Sequence, residues 1–148
     1  MKLAFIGTGK IIADALFAIE PIKEIEKTAI FARPHSKEKA EAFAKQYNIA
    51  EVYTDYEKLL TETAADTVYI GLINSAHYSY AKQALLHGKN VILEKPFTGF
   101  YNEAQELQQI AEENKLFIFE AVTVLHNEVF YEMKKNVKKA RYASYGSL

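Results

Sequence analysis

Short apolar runs alternate with longer segments of helical periodicity along almost the whole chain, and this alternation restricts the fold more than any other feature. Runs rich in β-branched and aromatic residues favour strands. Strands that alternate with helices are typical of a parallel sheet, because right-handed crossovers return the chain to the same edge. We therefore predict an α/β fold, a doubly wound parallel sheet of the Rossmann type. The predicted strands are Leu3–Ile6, Thr28–Ala32, Val52–Tyr53, Thr67–Leu72, Val91–Leu93 and Leu116–Phe119.

The segments between the strands carry apolar residues at spacings of three and four, as on one face of an amphipathic helix. Pro21 should end the first helix, and Gly88 should end the fourth, which we place from about Tyr78 to His87. Side chains that accept hydrogen bonds from free N–H groups mark helix starts. The predicted N-caps are Ser36, Asp55 and Asn102.

Composition excludes several classes of function. The 148 residues carry 18 basic and 19 acidic side chains, so no net field attracts nucleic acid or an anionic membrane. The absence of cysteine excludes disulfides, thiolate nucleophiles and cysteine-based metal sites, and no metal site is predicted. The N-terminal apolar run is too short for a signal peptide, and Glu120 interrupts the most apolar later stretch. We expect a cytoplasmic protein with neither nucleic-acid nor membrane partners.

A glycine turn follows the first predicted strand at once. Gly7, Thr8 and Gly9 end the strand and open a helix, as in dinucleotide-binding folds. There, the first glycine permits the tight turn and the second lets the backbone approach a pyrophosphate at the helix N-terminus. Ile12 occupies the third position of the fingerprint, where Gly or Ala allows close packing of helix on strand. The phosphate turn itself is intact, so we predict a nucleotide site.

The end of the second predicted strand discriminates between dinucleotides. An acidic residue there would bind the ribose 2′-hydroxyl of NAD, but the sequence has Arg33. A guanidinium suits a 2′-phosphate through charge-assisted hydrogen bonds. NADP is therefore favoured over NAD, whereas Lys37 is interpreted as a solvated helix residue.

Two later strand ends resemble the Gfo/Idh/MocA oxidoreductases, NAD(P)-dependent dehydrogenases acting mostly on sugars, cyclitols and related polyols. The first is Asn74-Ser75-Ala76-His77, and the second is Glu94-Lys95-Pro96 at the end of the frame that begins at Gly88. The G-T-G-x-I turn of the family is matched by residues 7–11, and the resemblance runs from residue 2 to about 145. It implies a sugar or polyol as substrate and an NADP or NAD cofactor.

Carried over residue by residue, the resemblance implies that Asn74 and His77 line the dinucleotide near its pyrophosphate and nicotinamide half. Glu94 would face the nicotinamide ribose, Lys95 would point into the cleft, and Pro96 would shape the turn, with a cis peptide bond as one form of it. The implied cofactor-binding set is Gly7, Thr8, Gly9, Lys10, Ile11, Arg33, Ile73, Asn74, His77, Glu94 and Lys95.

Chemistry supports a catalytic role for Lys95. A carbinol carbon loses hydride only as its hydroxyl proton departs, so the site needs a cation or an acid-base group beside that oxygen. A lysine at a strand end can donate to the oxygen and stabilise the alkoxide-like transition state. Lys95 is our candidate catalytic residue.

We expect a dinucleotide-binding domain at 1–121. In 122–148 we expect only the start of a second domain, a helix over 126–139 and an opening strand over 141–145, since members of the family are more than twice as long. In the family that domain forms the other wall of the substrate cleft and supplies a histidine or aspartate as partner of the lysine. Members of the family form oligomers largely through the sheet of that second domain, so a homo-oligomer is one expectation for this protein. Two other functions fit part of the pattern: a non-catalytic dinucleotide-binding or sensing module, and a methyltransferase. Arg33 disfavours the methyltransferase.

Overall fold

The computed structural model describes residues 1–122 and 131–136, and the first of these ranges forms a six-stranded parallel sheet with helices on both faces. A short 3-10 turn, Pro34–Ser36, precedes the second helix. The strands are β1 Lys2–Ile6, β2 Glu26–Phe31, β3 Glu51–Tyr53, β4 Thr67–Ile70, β5 Asn90–Glu94 and β6 Ile118–Ala121. The helices are α1 Lys10–Ile19, α2 Lys37–Tyr47, α3 Tyr56–Glu62, α4 Asn74–Leu86 and α5 Tyr101–Glu113.

The strand order is β3-β2-β1-β4-β5-β6, and every pair is parallel. From β1 the chain adds β2 and then β3 on one side. It then returns to the other side of β1, where β4, β5 and β6 follow in order. Between β1 and β4 the order reverses, and a crevice opens there at the carboxyl ends of the strands. The predicted doubly wound parallel sheet is confirmed, and the glycine turn lies at this reversal point.

Alternate residues of the central strands point into two separate cores. On one face, Ile6, Val68 and Leu93 pack against α3, α4 and α5. On the other face, Phe5 and Ile30 pack with residues of α1 and α2, among them Ile12. Burial on both faces explains why the central strands appear in the sequence as continuous apolar runs.

Helix α4 begins at Asn74, four residues before the predicted start at Tyr78. Its buried residues are His77, Ala81, Ala84 and Leu85, which share one face of the helix. The first turn of α4 carries no apolar signal in the sequence, because its buried stripe opens with a histidine. The difference matters because it places Asn74 and His77 in the first turn of a helix rather than in a loop.

Other boundaries differ by one or two residues. Asp55 caps α3 as predicted, since its Oδ1 accepts a hydrogen bond from the Lys58 N–H at 3.0 Å. Ser36 is the N-cap of α2 but makes no side-chain capping bond. The cap predicted at Asn102 is wrong, because Phe100 is the N-cap of α5 and Asn102 lies within the helix. Strand β4 ends at Ile70, where Gly71 begins the turn toward α4.

Residues 131–136 are helical, within the helix predicted at 126–139. The remainder of that helix and the strand predicted at 141–145 lie outside the described residues, so the second domain stays a prediction. No helix in the described part of the chain has the length and apolar character needed to cross a membrane.

Candidate functional site

The turn after β1 accepts only glycine at its first position. Gly7 has φ +121°, a conformation that L side chains rarely adopt, and its N–H donates to the Phe31 carbonyl at 2.9 Å. A Cβ atom at Gly7 would also lie 2.7 Å from the carbonyl oxygen of Gly71. The turn therefore connects the ends of β1, β2 and β4 through backbone atoms alone. This leaves space for a ligand on the solvent side of the turn.

The N-terminus of α1 is open to an anion. Gly9 is the N-cap and supplies no side-chain acceptor, and the first turn contains no acidic residue. The N–H groups of Lys10 and Ile11 have no acceptor within the helix, since the first N–H groups of any helix lack one. Together with the helix dipole, they form an environment that favours phosphate.

Ile12, which stands where the fingerprint has a third small residue, packs closely on the sheet because Gly71 makes room for it. A Cβ atom on Gly71 would come within 2.7 Å of Ile12 Cδ1 and 2.8 Å of Ile11 Cγ2. Ile12 is fully buried. The small residue that close contact requires therefore lies directly after β4 instead of on the helix.

A cavity of about 380 Å³ runs along the carboxyl edge from the glycine turn to the end of β2. At the β2 end it presents two cations and a hydroxyl, Arg33, Lys39 and Ser36, and no carboxylate is among its lining residues. The lining consists of Gly7, Thr8, Gly9, Ile11, Ala32, Arg33, Ser36, Lys39, Gly71, Leu72 and Ile73. Such a surface is suited to an elongated ligand with phosphate at two points.

The sequence predicts only Arg33 as a cofactor-binding residue at this strand end, and neither Lys39 nor Ser36. Lys39 follows Ser36 by three residues, so one helical turn brings both to the same side of α2, and that spacing could have identified them. Lys37 points elsewhere, with its Nζ 3.4 Å from a carboxylate oxygen of Glu41 on the exposed surface of α2.

The start of α4 forms the next part of the edge. Ile73 lines the cavity and is 61% exposed, and Asn74 beside it is exposed as well. His77 is fully buried. Its Nδ1 lies 2.8 Å from the Pro96 carbonyl oxygen and its Nε2 lies 3.2 Å from the Leu72 carbonyl oxygen. His77 thus connects the turn after β4 to the turn after β5.

The turn after β5 contains Glu94, Lys95 and Pro96, and the Lys95–Pro96 peptide bond is cis. Glu94 is only 5% exposed, whereas Lys95 is exposed. The Glu94 Oε1 accepts a hydrogen bond from the Tyr69 hydroxyl, and its Oε2 accepts one from the Lys95 N–H at 3.2 Å. Tyr69 is a residue of β4 that sequence reasoning did not single out.

The structure thus distributes the predicted cofactor-binding residues over four neighbouring strand ends, those of β2, β1, β4 and β5. The glycine turn, Arg33 and Ile73 line one cavity. Asn74, His77, Glu94 and Lys95 belong to the turns beyond it. Lys10 forms an exposed ion pair, with Nζ 2.6 Å from Asp14 Oδ2, so its backbone N–H rather than its side chain lies at the phosphate turn.

Comparison with known proteins identifies the family. A family model described as an oxidoreductase family with an NAD-binding Rossmann fold, Gfo/Idh/MocA, matches residues 1–122. The chain is 31% identical to scyllo-inositol 2-dehydrogenase (NADP(+)) of Bacillus subtilis, over 99% of the chain and 47% of the relative. It is 29% identical to trans-1,2-dihydrobenzene-1,2-diol dehydrogenase of Xenopus tropicalis, over 90% of the chain and 40% of the relative.

Among solved structures, KijD10, a 3-ketoreductase from Actinomadura kijaniata in complex with NADP and TDP-benzene, superposes with a TM-score of 0.88 at 28% identity. The match covers 94% of the chain and 42% of that protein. The chain therefore spans about half the length of the curated relatives it matches. It belongs to the Gfo/Idh/MocA oxidoreductase family, of which residues 1–122 form the NAD-binding Rossmann domain.

Proposed function

We propose that the chain binds NADP along the carboxyl edge of the sheet and serves a dehydrogenase that acts on a sugar, cyclitol or related polyol. The observation that carries the proposal is the single cavity that joins the glycine turn to Arg33 and Lys39. The pyrophosphate would lie against Gly7 to Gly9 and the N-terminus of α1. The adenosine end would then lie at the end of β2.

Charge favours NADP over NAD. Arg33 and Lys39 are both exposed, and neither makes an ion pair with a carboxylate in the described part of the chain. Arg33 can bind a 2′-phosphate with two parallel N–H donors, while Lys39 adds a point charge and Ser36 a hydroxyl. A ribose 2′-hydroxyl would need an acceptor in this position, and the cavity lining has no carboxylate to provide one.

Lys95 is the proposed catalytic residue. When bound, the nicotinamide supplies the carbon that exchanges hydride with the substrate. The Lys95 ammonium, exposed at the end of β5, would donate a hydrogen bond to the substrate oxygen and stabilise negative charge there, while the hydroxyl proton passes to the histidine or aspartate that the family resemblance implies in the second domain. Glu94 and Pro96 hold the lysine backbone on either side, so the ammonium starts from a fixed strand end.

The substrate class is inferred from the relatives. Two of them are named as dehydrogenases of scyllo-inositol and of a dihydrobenzene diol, both carbinol compounds with neighbouring hydroxyls. A vicinal diol gives Lys95 an oxygen at the reacting carbon and leaves a second hydroxyl for orientation.

Two further properties belong to the proposal, the cellular compartment and the oligomeric state. We expect the protein to work in the cytoplasm, as the cysteine-free sequence indicates, and to act as a homo-oligomer. Cell fractionation and sedimentation of the purified protein test them separately.

A fluorescence titration of the chain with NADPH and NADH tests the cofactor proposal directly. We expect saturable binding of NADPH at micromolar concentrations and at least about tenfold weaker binding of NADH. Equal affinity would overturn the choice of NADP, and no binding of either nucleotide by a folded sample would overturn the proposed function. Turnover of scyllo-inositol and other polyols by the intact protein then separates a dehydrogenase from a sensing module that binds without reaction.

A further inference from the structure

A buried hydrogen-bond chain connects β4 to the backbone of Lys95. The Tyr69 hydroxyl donates to Oε1 of Glu94, and the Lys95 N–H donates to Oε2 of the same carboxylate at 3.2 Å. Tyr69 is half-buried in the middle of the sheet, and Glu94 is only 5% exposed. A side chain on one strand therefore controls the main chain at the end of its neighbour.

The burial of the Glu94 carboxylate bears on how this residue would act on a bound cofactor. The family resemblance implies that Glu94 faces the nicotinamide ribose. In this structure its two oxygens are bound by groups of the chain itself. Each oxygen keeps a further acceptor site, but the carboxylate is only 5% exposed, so we infer that it acts on the cofactor through Lys95 rather than by direct contact.

The far side of the same turn is held independently. Nδ1 of the fully buried His77 lies 2.8 Å from the Pro96 carbonyl oxygen. The main chain of Lys95 is thus fixed between one anchor on β4 and another on α4. Since the lysine side chain itself is exposed, these anchors determine where its ammonium starts.

We propose that Tyr69 is a positioning residue, which orients Glu94 and through it holds Lys95 toward the nicotinamide half of the bound dinucleotide. This inference rests on the proposed function, because it assumes that a nicotinamide dinucleotide occupies the carboxyl edge. Tyr69 touches neither cofactor nor substrate in this role. Its hydroxyl acts only through the carboxylate.

Packing by itself does not require the hydroxyl. The Tyr69 ring packs near Phe5, with centroids 6.1 Å apart, and a phenylalanine would keep that contact. Burial, and then the hydrogen bond to Glu94, raise the pKa of the Tyr69 hydroxyl, so it stays a donor at any working pH. A buried carboxylate with a missing donor reorients or admits water, and either change loosens the Lys95 backbone.

Two probes separate positioning from general damage. NADPH spans the whole edge, whereas 2′-phospho-ADP-ribose has the same phosphates and adenosine but no nicotinamide. In Tyr69→Phe we expect the dissociation constant of NADPH to rise about five- to tenfold, less than for direct loss of a charge-assisted hydrogen bond to the cofactor, because Tyr69 acts only through Glu94 and Lys95. The affinity for 2′-phospho-ADP-ribose should stay within about twofold. Lys95→Ala should show the same pattern, and the double variant should lose little more than Lys95→Ala alone.

The control is Tyr53→Phe, which removes another hydrogen bond from a tyrosine to a glutamate, 3.1 Å to Glu51 on β3, and should change neither affinity. If Tyr69→Phe fails to fold, Glu94→Gln tests the same link with a side chain of equal size. Equal weakening of both probes would show a merely structural role and overturn the proposal, as would unchanged NADPH binding. A wild-type chain that binds neither probe would instead refute the proposed function.

Discussion

Gly71 and Ile12 are matched across the interface between sheet and first helix. Ile12 Cδ1 occupies the space where a side chain on residue 71 would begin, since a Cβ atom there would lie 2.7 Å away. The carbonyl oxygen of Gly71 also lies close to Gly7, 2.7 Å from the point where a Cβ atom on Gly7 would be. The phosphate turn and the helix behind it thus both pack against one glycine in the turn that follows β4.

Gly71→Ala should destabilise the protein. The added methyl group meets Ile12 and Ile11 in a packed interface, and such overpacking costs about 1–3 kcal/mol in the free energy of unfolding. Denaturant unfolding monitored by circular dichroism measures the change. Gly99→Ala is the control, because the nearest atom to its new methyl group would be Glu103 Oε2 at 3.9 Å, and it should be nearly neutral.

Shortening Ile12 should relieve the clash. Ile12→Ala alone leaves a cavity and costs about 2–5 kcal/mol. Combined with Gly71→Ala, the loss should be smaller than the sum of the two by at least about 1 kcal/mol, as expected for residues in direct contact. Simple additivity of the two losses would contradict the matched packing.

Arg33→Ala should weaken NADPH binding about ten- to hundredfold, because it removes charge-assisted hydrogen bonds to the 2′-phosphate. NADH binding should change by less than about twofold. Lys39→Ala should act in the same direction with a smaller effect, while Lys37→Ala, whose side chain pairs with Glu41, serves as control. Parallel losses for NADPH and NADH would show that these cations do not read the 2′-phosphate.

Lys95→Ala in the intact protein should lower kcat about 10²- to 10⁴-fold, the range found for a group that transfers or holds a proton in the transition state. The free energy of unfolding should change by no more than about 0.5 kcal/mol, since Lys95 is exposed. Lys95→Arg keeps the charge with a different geometry and should recover only part of the rate. Steady-state kinetics with a polyol and NADP provide the measurement, and an unchanged kcat would remove Lys95 from the mechanism.

His87 should make stability depend on pH. Its Nδ1 lies 2.8 Å from the Gln83 carbonyl oxygen and its Nε2 lies 2.8 Å from Glu57 Oε1. The hydrogen bond to the Gln83 carbonyl raises the pKa of the ring, and the contact with Glu57 raises it further. A raised pKa stabilises the fold fully below the ordinary value of 6.5, and this stabilisation disappears as the pH rises through the raised value.

The predicted effect of His87 is small, below about 1 kcal/mol, because the pair is partly exposed. Urea unfolding of wild type and His87→Gln should therefore differ most near pH 5.5 and converge toward pH 8. His35→Gln is the comparison, because His35 is exposed. A difference that grows with pH would contradict the sign.

The order of the elements could be predicted because each element carries its own periodicity. Val68, Ile70 and Val91 lie in strands buried on both faces, which the sequence displays as unbroken apolar runs. Helix α4 shows the limit of such patterns. Its stripe begins at His77, a buried polar residue whose ring nitrogens lie 2.8 and 3.2 Å from two main-chain carbonyl oxygens, and no apolar pattern marks that turn.

The candidate site divides in the same way. The sequence by itself determined the glycine turn, Arg33 and the Glu94-Lys95-Pro96 turn, since each depends on residue types next to one another along the chain. Only the tertiary structure brought Gly71 against Ile12 and Tyr69 to Glu94. Parallel strands that are distant in the chain become neighbours only after the crossovers close, so contacts between their ends have no local signal.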